Sequence, residues 1–250
     1  MPETPSLRTD GEPQFGARER LAIWVLLGSA FVVMLNETIM GVALPRLMEA
    51  LDISAAAGQW LTTAFLLTMS IVIPITGMLI QRFSTRALFI TAMSLFTVGT
   101  LIAAVAPGFA VLLIGRVVQA SGTAIMMPLL MTTVVTIVPE RQRGRLMGRI
   151  AIVMSVAPAI GPTISGLILQ WLSWRWLFLV VLPISVLALI LGLLRMPNVS
   201  EQRLVRVDAL SVLLSAVGFG GVVYGLSAVG ERANGGETID PILPIAVGAV

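Results

Sequence analysis

Apolar residues run along this chain in long blocks, separated by short connections that carry its arginines. A bilayer core needs about 20 mostly apolar residues per helix. Seven stretches meet that requirement: Leu21–Pro45, Ala57–Ile80, Ala87–Ala106, Phe109–Val138, Leu146–Gln170, Trp174–Arg195 and Ala209–Gly230. An eighth begins near Asp240 and is still apolar at Val250. A helix ending halfway across a membrane would leave carbonyls without partners, so the chain is expected to be incomplete. The first stretch is too long for a cleaved leader, and no small-residue cleavage site follows it. The pattern predicts an all-α membrane protein with short loops, none large enough for a soluble catalytic domain.

Arginine placement predicts orientation. With the N-terminus cytoplasmic, twelve arginines fall on inner segments, three on outer ones, and Arg116 lies inside a span. The expected organisation is a cytoplasmic tail (1–20), a six-helix bundle (21–195), a cytoplasmic linker (196–208) and an additional helix pair (209–250) whose second helix is truncated. Two three-helix repeats would fit such a bundle, an arrangement common in secondary transporters.

Composition narrows the chemistry. The chain is 57% hydrophobic and only 12% charged, about half the charge of a soluble domain. Its mean hydropathy is +0.97. It has no Cys and no His, which excludes disulfides, Cys/His zinc sites, thiol nucleophiles and imidazole acid/base catalysis. A pI near 10.9 would suit a nucleic-acid partner, but the basic residues lie between apolar blocks and form no patch. No phosphate loop, metal cluster or paired carboxylate supports enzymatic chemistry. No metal and no cofactor are expected.

Two charges lie deep within the apolar blocks: Glu37 and Arg116. A charge at mid-bilayer costs about 2.5–3.5 kcal/mol on insertion scales and therefore usually faces a bundle interior or a watery cavity. Counted from Pro45, Glu37 is roughly 12 Å deep, and counted from Phe109, Arg116 is roughly 10 Å deep. The two are thus expected at one level in the outer half of the membrane. Two readings follow. Glu37 is a proton-carrying carboxylate beside a fixed cation, or the pair is a static ion bridge between helices. Asn36 and Thr38 flank the acid. Asn36 either holds the carboxylate or a ligand, or bonds between helices. Gln119, one turn from Arg116, either orients it or serves as packing glue.

The fifth block contains A-P-A-I-G-P-T-I-S-G. Ala157, Gly161 and Ser165 recur every four residues on one face, and Pro158, Pro162 and Gly166 on the adjoining one. Small faces let helices approach closely in lipid, and proline removes helix hydrogen bonds and bends the axis. The helix is built to rock against a partner or to make a fixed, tight, kinked crossing. The connection Gly77–Arg86 reads as an inner loop. Arg82 and Arg86, four apart, either grip a helix C-terminus or an acid, or set topology. Pro139–Arg145 reads as a topology anchor, and Trp171, Trp174 and Trp176 as an interfacial belt. The thirteen Met residues offer an adaptable pocket lining, though most are expected to face lipid or core.

On these motifs the chain resembles the major facilitator superfamily, and within it the drug:proton antiporter branch with fourteen spans, which includes multidrug and lincomycin-type efflux proteins. L-N-E-T-I-M-G-V-A-L-P (35–45) is similar to the first-span motif, with Asn36 in place of the usual Asp. Asn-Glu-Thr is a variant of lincomycin-type members, which implies Glu37 as the working acid. L-L-I-G-R-V-V-Q-A-S-G-T-A (112–124) resembles the fourth-span motif whose arginine, here Arg116, is linked to proton transfer. The 157–166 segment resembles the fifth-span antiporter motif. Gly77–Arg86 resembles the motif that latches the outward-open state, with Gln81 for Asp and Ser84 and Thr85 for Gly and Arg, leaving Arg82 to serve. The resemblance implies a bacterial plasma-membrane exporter of amphipathic compounds. The proton gradient would drive it, and a C-terminal bundle would complete the substrate cavity.

Overall fold

The computed structural model describes residues 16–198 and 209–233, together with Pro244 and Gly248. Among these, seven helices follow one another: α1 (Ala17–Leu51), α2 (Ala55–Arg82), α3 (Thr85–Ala104), α4 (Phe109–Ile137), α5 (Glu140–Trp171), α6 (Arg175–Arg195) and α7 (Ala209–Ala233). The first six are each long and apolar enough to cross a membrane. No strand occurs among the described residues. The 1–15 tail, most of the 196–208 linker and most of the eighth apolar block lie outside them. Pro244 and Gly248 of that block are helical, and Gly248 packs against Gly218 and Val222 of α7.

Helices α1, α2 and α5 reach further at both ends than the hydropathy blocks. The first stretch was expected to end at Pro45, yet α1 runs on to Leu51. One proline forfeits one backbone bond. Here the turn beyond it is held by fully buried Leu47 and a 3.3 Å Arg46–Glu49 bridge. Asp52 ends the helix at φ 49°, its N–H bonded to the Met48 carbonyl, as a left-handed cap does. Gly77–Arg86 is not a loop either. It forms the last turns of α2, the two-residue link Phe83–Ser84 and the start of α3. Ser84 caps α3 by accepting from Ala87 N–H at 3.2 Å. The Pro139–Arg145 segment belongs almost wholly to the first turns of α5, with Pro139 at its N-cap. Charged residues end a hydropathy block without ending a helix, because the backbone bonds continue into the polar layer.

Within the bundle, α3 packs most extensively on α4, α2 also packs on α4, and α1 lies across α4, α5 and α6. Glycine sets the α3–α4 spacing. A Cβ on Gly99 would sit 2.7 Å from the Gln119 Cα and from the Gly115 carbonyl, and one on Gly115 would sit 2.9 Å from the Ala103 nitrogen. α7 lies against α2, with the Trp60 and Tyr224 ring centroids 6.1 Å apart.

At the α5–α6 corner, Trp171 is 84% exposed and Trp176 44% exposed, but Trp174 only 5%. Trp174 is therefore not part of an interfacial belt. Its ring meets Phe178 edge-on and is covered by the Arg175 guanidinium at 4.4 Å. Arg175 also donates to the Ala106 carbonyl at 2.9 Å. At the opposite end, Arg86 donates to the Leu193 carbonyl at 2.6 Å and so grips the last turn of α6, one of the two expected uses. Arg82 is separated from Arg86 by the helix break and lies over the Phe83 ring.

Candidate functional site

Glu37, Thr38 and Arg116 open onto one cavity of about 330 Å³, within the range of small-molecule pockets. α1 contributes Met34, Glu37, Thr38, Met40 and Gly41; α2 contributes Thr62, Phe65 and Leu66; α4 contributes Arg116. The wall is apolar apart from two hydroxyls, one carboxylate and one guanidinium. The equal-depth arithmetic took Pro45 as the end of the first helix, which the extended α1 overturns. The two charges nevertheless share a space.

Arg116 is 1% exposed, and α4 and its neighbours hold it from two sides. One terminal nitrogen donates to the Gln119 Oε1 at 2.6 Å. Gln119 in turn donates to the Thr100 hydroxyl of α3 at 2.8 Å, and Thr100 donates to the Phe96 carbonyl at 2.7 Å. On the other side, the guanidinium carbon lies 4.0 Å from the centroid of the Phe65 ring, itself 1% exposed. A desolvated cation–π contact of this kind is worth about 2 kcal/mol. Arg116 Nε has no hydrogen-bond partner. The ion pairs seen within 4.0 Å among the described residues join Arg46 to Glu49 and Arg143 to Glu140; Glu37 and Arg116 do not form one. The static-bridge reading therefore lacks its bridge. Gln119 bonds Arg116 on one side and Thr100 of α3 on the other, a geometry that accommodates both of its readings.

The acid itself is half-buried. Its neighbours divide between two surfaces. Thr38 donates to the Leu35 carbonyl at 2.9 Å and reaches the Ala157 carbonyl of α5 at 3.4 Å. Asn36 is 1% exposed, lies outside the cavity lining, and its Nδ2 has no partner. It neither holds the Glu37 carboxylate nor forms an interhelical bond through its amide N–H. A one-residue step turns a helix by 100°, which separates Asn36 from the face that Glu37 occupies.

The small face of α5 meets α1 directly behind the acid. Ala157 and Ser165 are fully buried. Ser165 donates to the Ile39 carbonyl at 3.2 Å, and a Cβ on Gly161 would collide with the Thr38 hydroxyl and lie 3.0 Å from its Cβ. Pro158 and Pro162 are exposed, Gly166 is half-buried, and α5 runs unbroken through both prolines. The expected close-approach face is thus used within this chain, and the proline face is not.

Sequence reasoning missed Phe65, Thr62 and Thr100. Phe65 reads as one more apolar residue of a lipid-spanning block. The available signal lay in α3, where Thr97, Gly99 and Thr100 interrupt the apolar run opposite Gly115 and Gln119. Replacing Thr100 with valine should leave the buried Gln119 amide without its acceptor, at about 1–3 kcal/mol. A thermal melt of the variant in detergent checks this, and an unchanged melting point would show the relay to be idle.

Comparison with known proteins agrees with this architecture. The family model described as Major Facilitator Superfamily matches residues 26–231. The chain is 48% identical over 228 residues to the uncharacterized MFS-type transporter YcnB of Bacillus subtilis, covering 91% of this chain and 48% of that one. It is 49% identical over 224 residues to the lincomycin resistance protein LmrB of Listeria innocua, covering 90% and 47%. To the putative multidrug resistance protein MdtD of Escherichia coli it is 32% identical, covering 92% and 48%. The chain thus spans about half the length of the curated relatives it matches. A solved peptide transporter POT in complex with sulfate superposes with a TM-score of 0.67 at 14% identity, over 88% of this chain and 48% of that one. That likeness carries the fold alone. The family match and the helical bundle together assign the chain to the major facilitator superfamily, a family of multi-span membrane transporters.

Proposed function

We propose that this chain is the N-terminal part of a proton-coupled antiporter that exports drugs or other amphipathic compounds across a bacterial plasma membrane. The observation that carries the reading is the cavity in which a half-buried carboxylate faces a fixed guanidinium without closing onto it. A carboxylate in a closed ion pair has no reason to exchange protons during a cycle. Glu37, left unpaired beside water-accessible space, does. Proton and substrate occupy the cavity by turns: substrate binds while Glu37 is ionised and drawn toward Arg116, and protonation of Glu37 favours its release. Alternating exposure of the cavity to the two sides then couples proton entry to substrate exit. The relatives whose names refer to lincomycin and multidrug resistance support the substrate class.

In this reading the N-terminus is cytoplasmic, a C-terminal bundle supplies the other half of the substrate cavity, and the proton gradient is the energy source, with no cofactor. The apolar wall of Met34, Met40, Phe65 and Leu66 binds substrate by shape-tolerant burial, for which flexible Met is suited.

The test is Glu37→Gln in the full-length protein reconstituted into liposomes with an imposed proton gradient. Uphill efflux should fall to background while downhill substrate exchange persists. Uphill efflux retained at the wild-type rate and with the wild-type pH response would sink the assignment of Glu37. Transport that ignores the gradient altogether would place the protein among uncoupled or metabolite-specific facilitators.

A further inference from the structure

The α2 helix has two working faces. Thr62, Phe65 and Leu66 line the cavity. At about 100° per residue they centre roughly opposite Trp60, Leu67 and Ile71, and that second face is where α7 lies. The Trp60 and Tyr224 ring centroids are tilted by 40° at 6.1 Å. A Cβ on Gly220 would sit 3.5 Å from the Ile71 Cγ1 and 3.7 Å from the Leu67 Cδ1. The order of these contacts sets α7 antiparallel to α2. We propose that α7 is a brace for the cavity wall: α2 and α7 move as one body during transport, and Tyr224 is a positioning residue that holds Phe65 against Arg116.

Lipid tails are as apolar as the faces of these helices, so burial alone gives α7 no reason to sit on α2, and the contact rests on fit. The fit is present. Gly220 is buried and admits Leu67 and Ile71 at ordinary contact distance, and an aromatic pair contributes beyond its buried area. The wall also needs support. α2 buries only five of its 28 residues, and its two principal neighbours are α4 and α7. Its hold on α4 at the site is the Phe65 ring stacked on the Arg116 guanidinium, a contact without directional hydrogen bonds.

The brace is itself backed on another face. A Cβ on Gly221 would sit 2.7 Å from the Pro244 carbonyl oxygen, and one on Gly248 would sit 2.8 Å from the Val222 nitrogen. Backbone therefore meets backbone where the next apolar block crosses α7. From the cavity outward, α2, α7 and the Pro244–Gly248 backbone each support the layer inside them. The effect of Tyr224 on substrate rests on the cavity being the export site, as proposed above; the pairing of the two helices does not.

Two measurements on the full-length transporter in liposomes test this. The first combines Ile71→Cys with Gly220→Cys in protein freed of any other cysteine. The short approach of these positions suits a disulfide, whose Cβ atoms lie about 3.5–4.5 Å apart. The bond should form, and oxidised and reduced protein should transport tetraphenylphosphonium at the same rate. Transport lost on oxidation and restored by a reductant would show that α7 slides on α2, and would overturn the proposal. So would a bond that does not form. The second measurement compares Tyr224→Ala with Tyr224→Phe. Tyr224→Ala should raise the KM for tetraphenylphosphonium about fivefold with kcat little changed, and Tyr224→Phe, which keeps the ring, should hold the wild-type value. If Phe65→Ala raises KM while Tyr224→Ala lowers only the amount of folded protein, Tyr224 is structural and the positioning role is overturned. A KM unmoved by both Phe65→Ala and Tyr224→Ala would sink the cavity as the export site, and the role with it.

Discussion

Arg116→Met is expected to leave the bundle as stable as the wild type, or more so, while abolishing substrate-coupled transport. A buried cation is retained against a desolvation penalty of several kcal/mol. Removing one member of a closed ion pair normally strands the other charge and destabilises by about 3–5 kcal/mol. Glu37 is not in contact with Arg116 and keeps its opening to the cavity, so it is not stranded. The loss to set against the relieved penalty is one charge-assisted bond to Gln119, about 1.5–3 kcal/mol, and the Phe65 stack. Met keeps most of the volume and the apolar contact with Phe65. Paired thermal melts and liposome transport assays separate the two effects. A melting point lowered by 10 °C or more (about 2.5–5 kcal/mol for a domain of 150–250 residues), with transport lost in proportion, would make Arg116 a structural residue.

Gly161→Val carries the second large effect, in the opposite direction. The alanine Cβ alone would collide with the Thr38 hydroxyl, so α5 and α1 must part at the point where Ser165 reaches the Ile39 carbonyl. Overpacking of this kind costs about 1–3 kcal/mol. Valine adds two methyls to the collision and belongs at the upper end of that range. Thr38→Ala should recover part of the loss, because the hydroxyl is the first atom struck. Gly166→Ala is the contrasting case. Nothing lies within 4 Å of its Cβ position, and alanine favours helix by up to about 1 kcal/mol. Equal damage from Gly161→Val and Gly166→Ala would mean that the tight crossing with α1 is not what the fifth-helix pattern serves.

How much of this was legible before the structure depends on what each signal measures. Hydropathy reports where lipid is, so the helices were evident as blocks while their ends were not. Pro45, Gln81 and Arg141 all lie inside helices because backbone bonding continues into the polar layer. The two intramembrane charges were conspicuous, since few forces keep a charge in hydrocarbon. Their shared cavity was not derivable, because helical depth says nothing about which faces oppose. Asn36 shows the limit from the other side: adjacent in sequence to the acid, it is buried on a different face. Phe65 and Thr100 were invisible, because an aromatic or a hydroxyl in an apolar run has many uses. Trp174 was misread because interfacial tryptophans and buried ones share the same sequence position at a helix end.

Proton release from the protein on substrate addition tests the account most directly. The full-length protein in detergent, weakly buffered with a pH-sensitive dye, would be mixed with lincomycin or a lipophilic cation such as tetraphenylphosphonium. Binding is predicted to release protons from the wild type and none from Glu37→Gln, with binding itself retained in the variant. Substrate binding without proton release in the wild type, or the same release from Glu37→Gln, would contradict it.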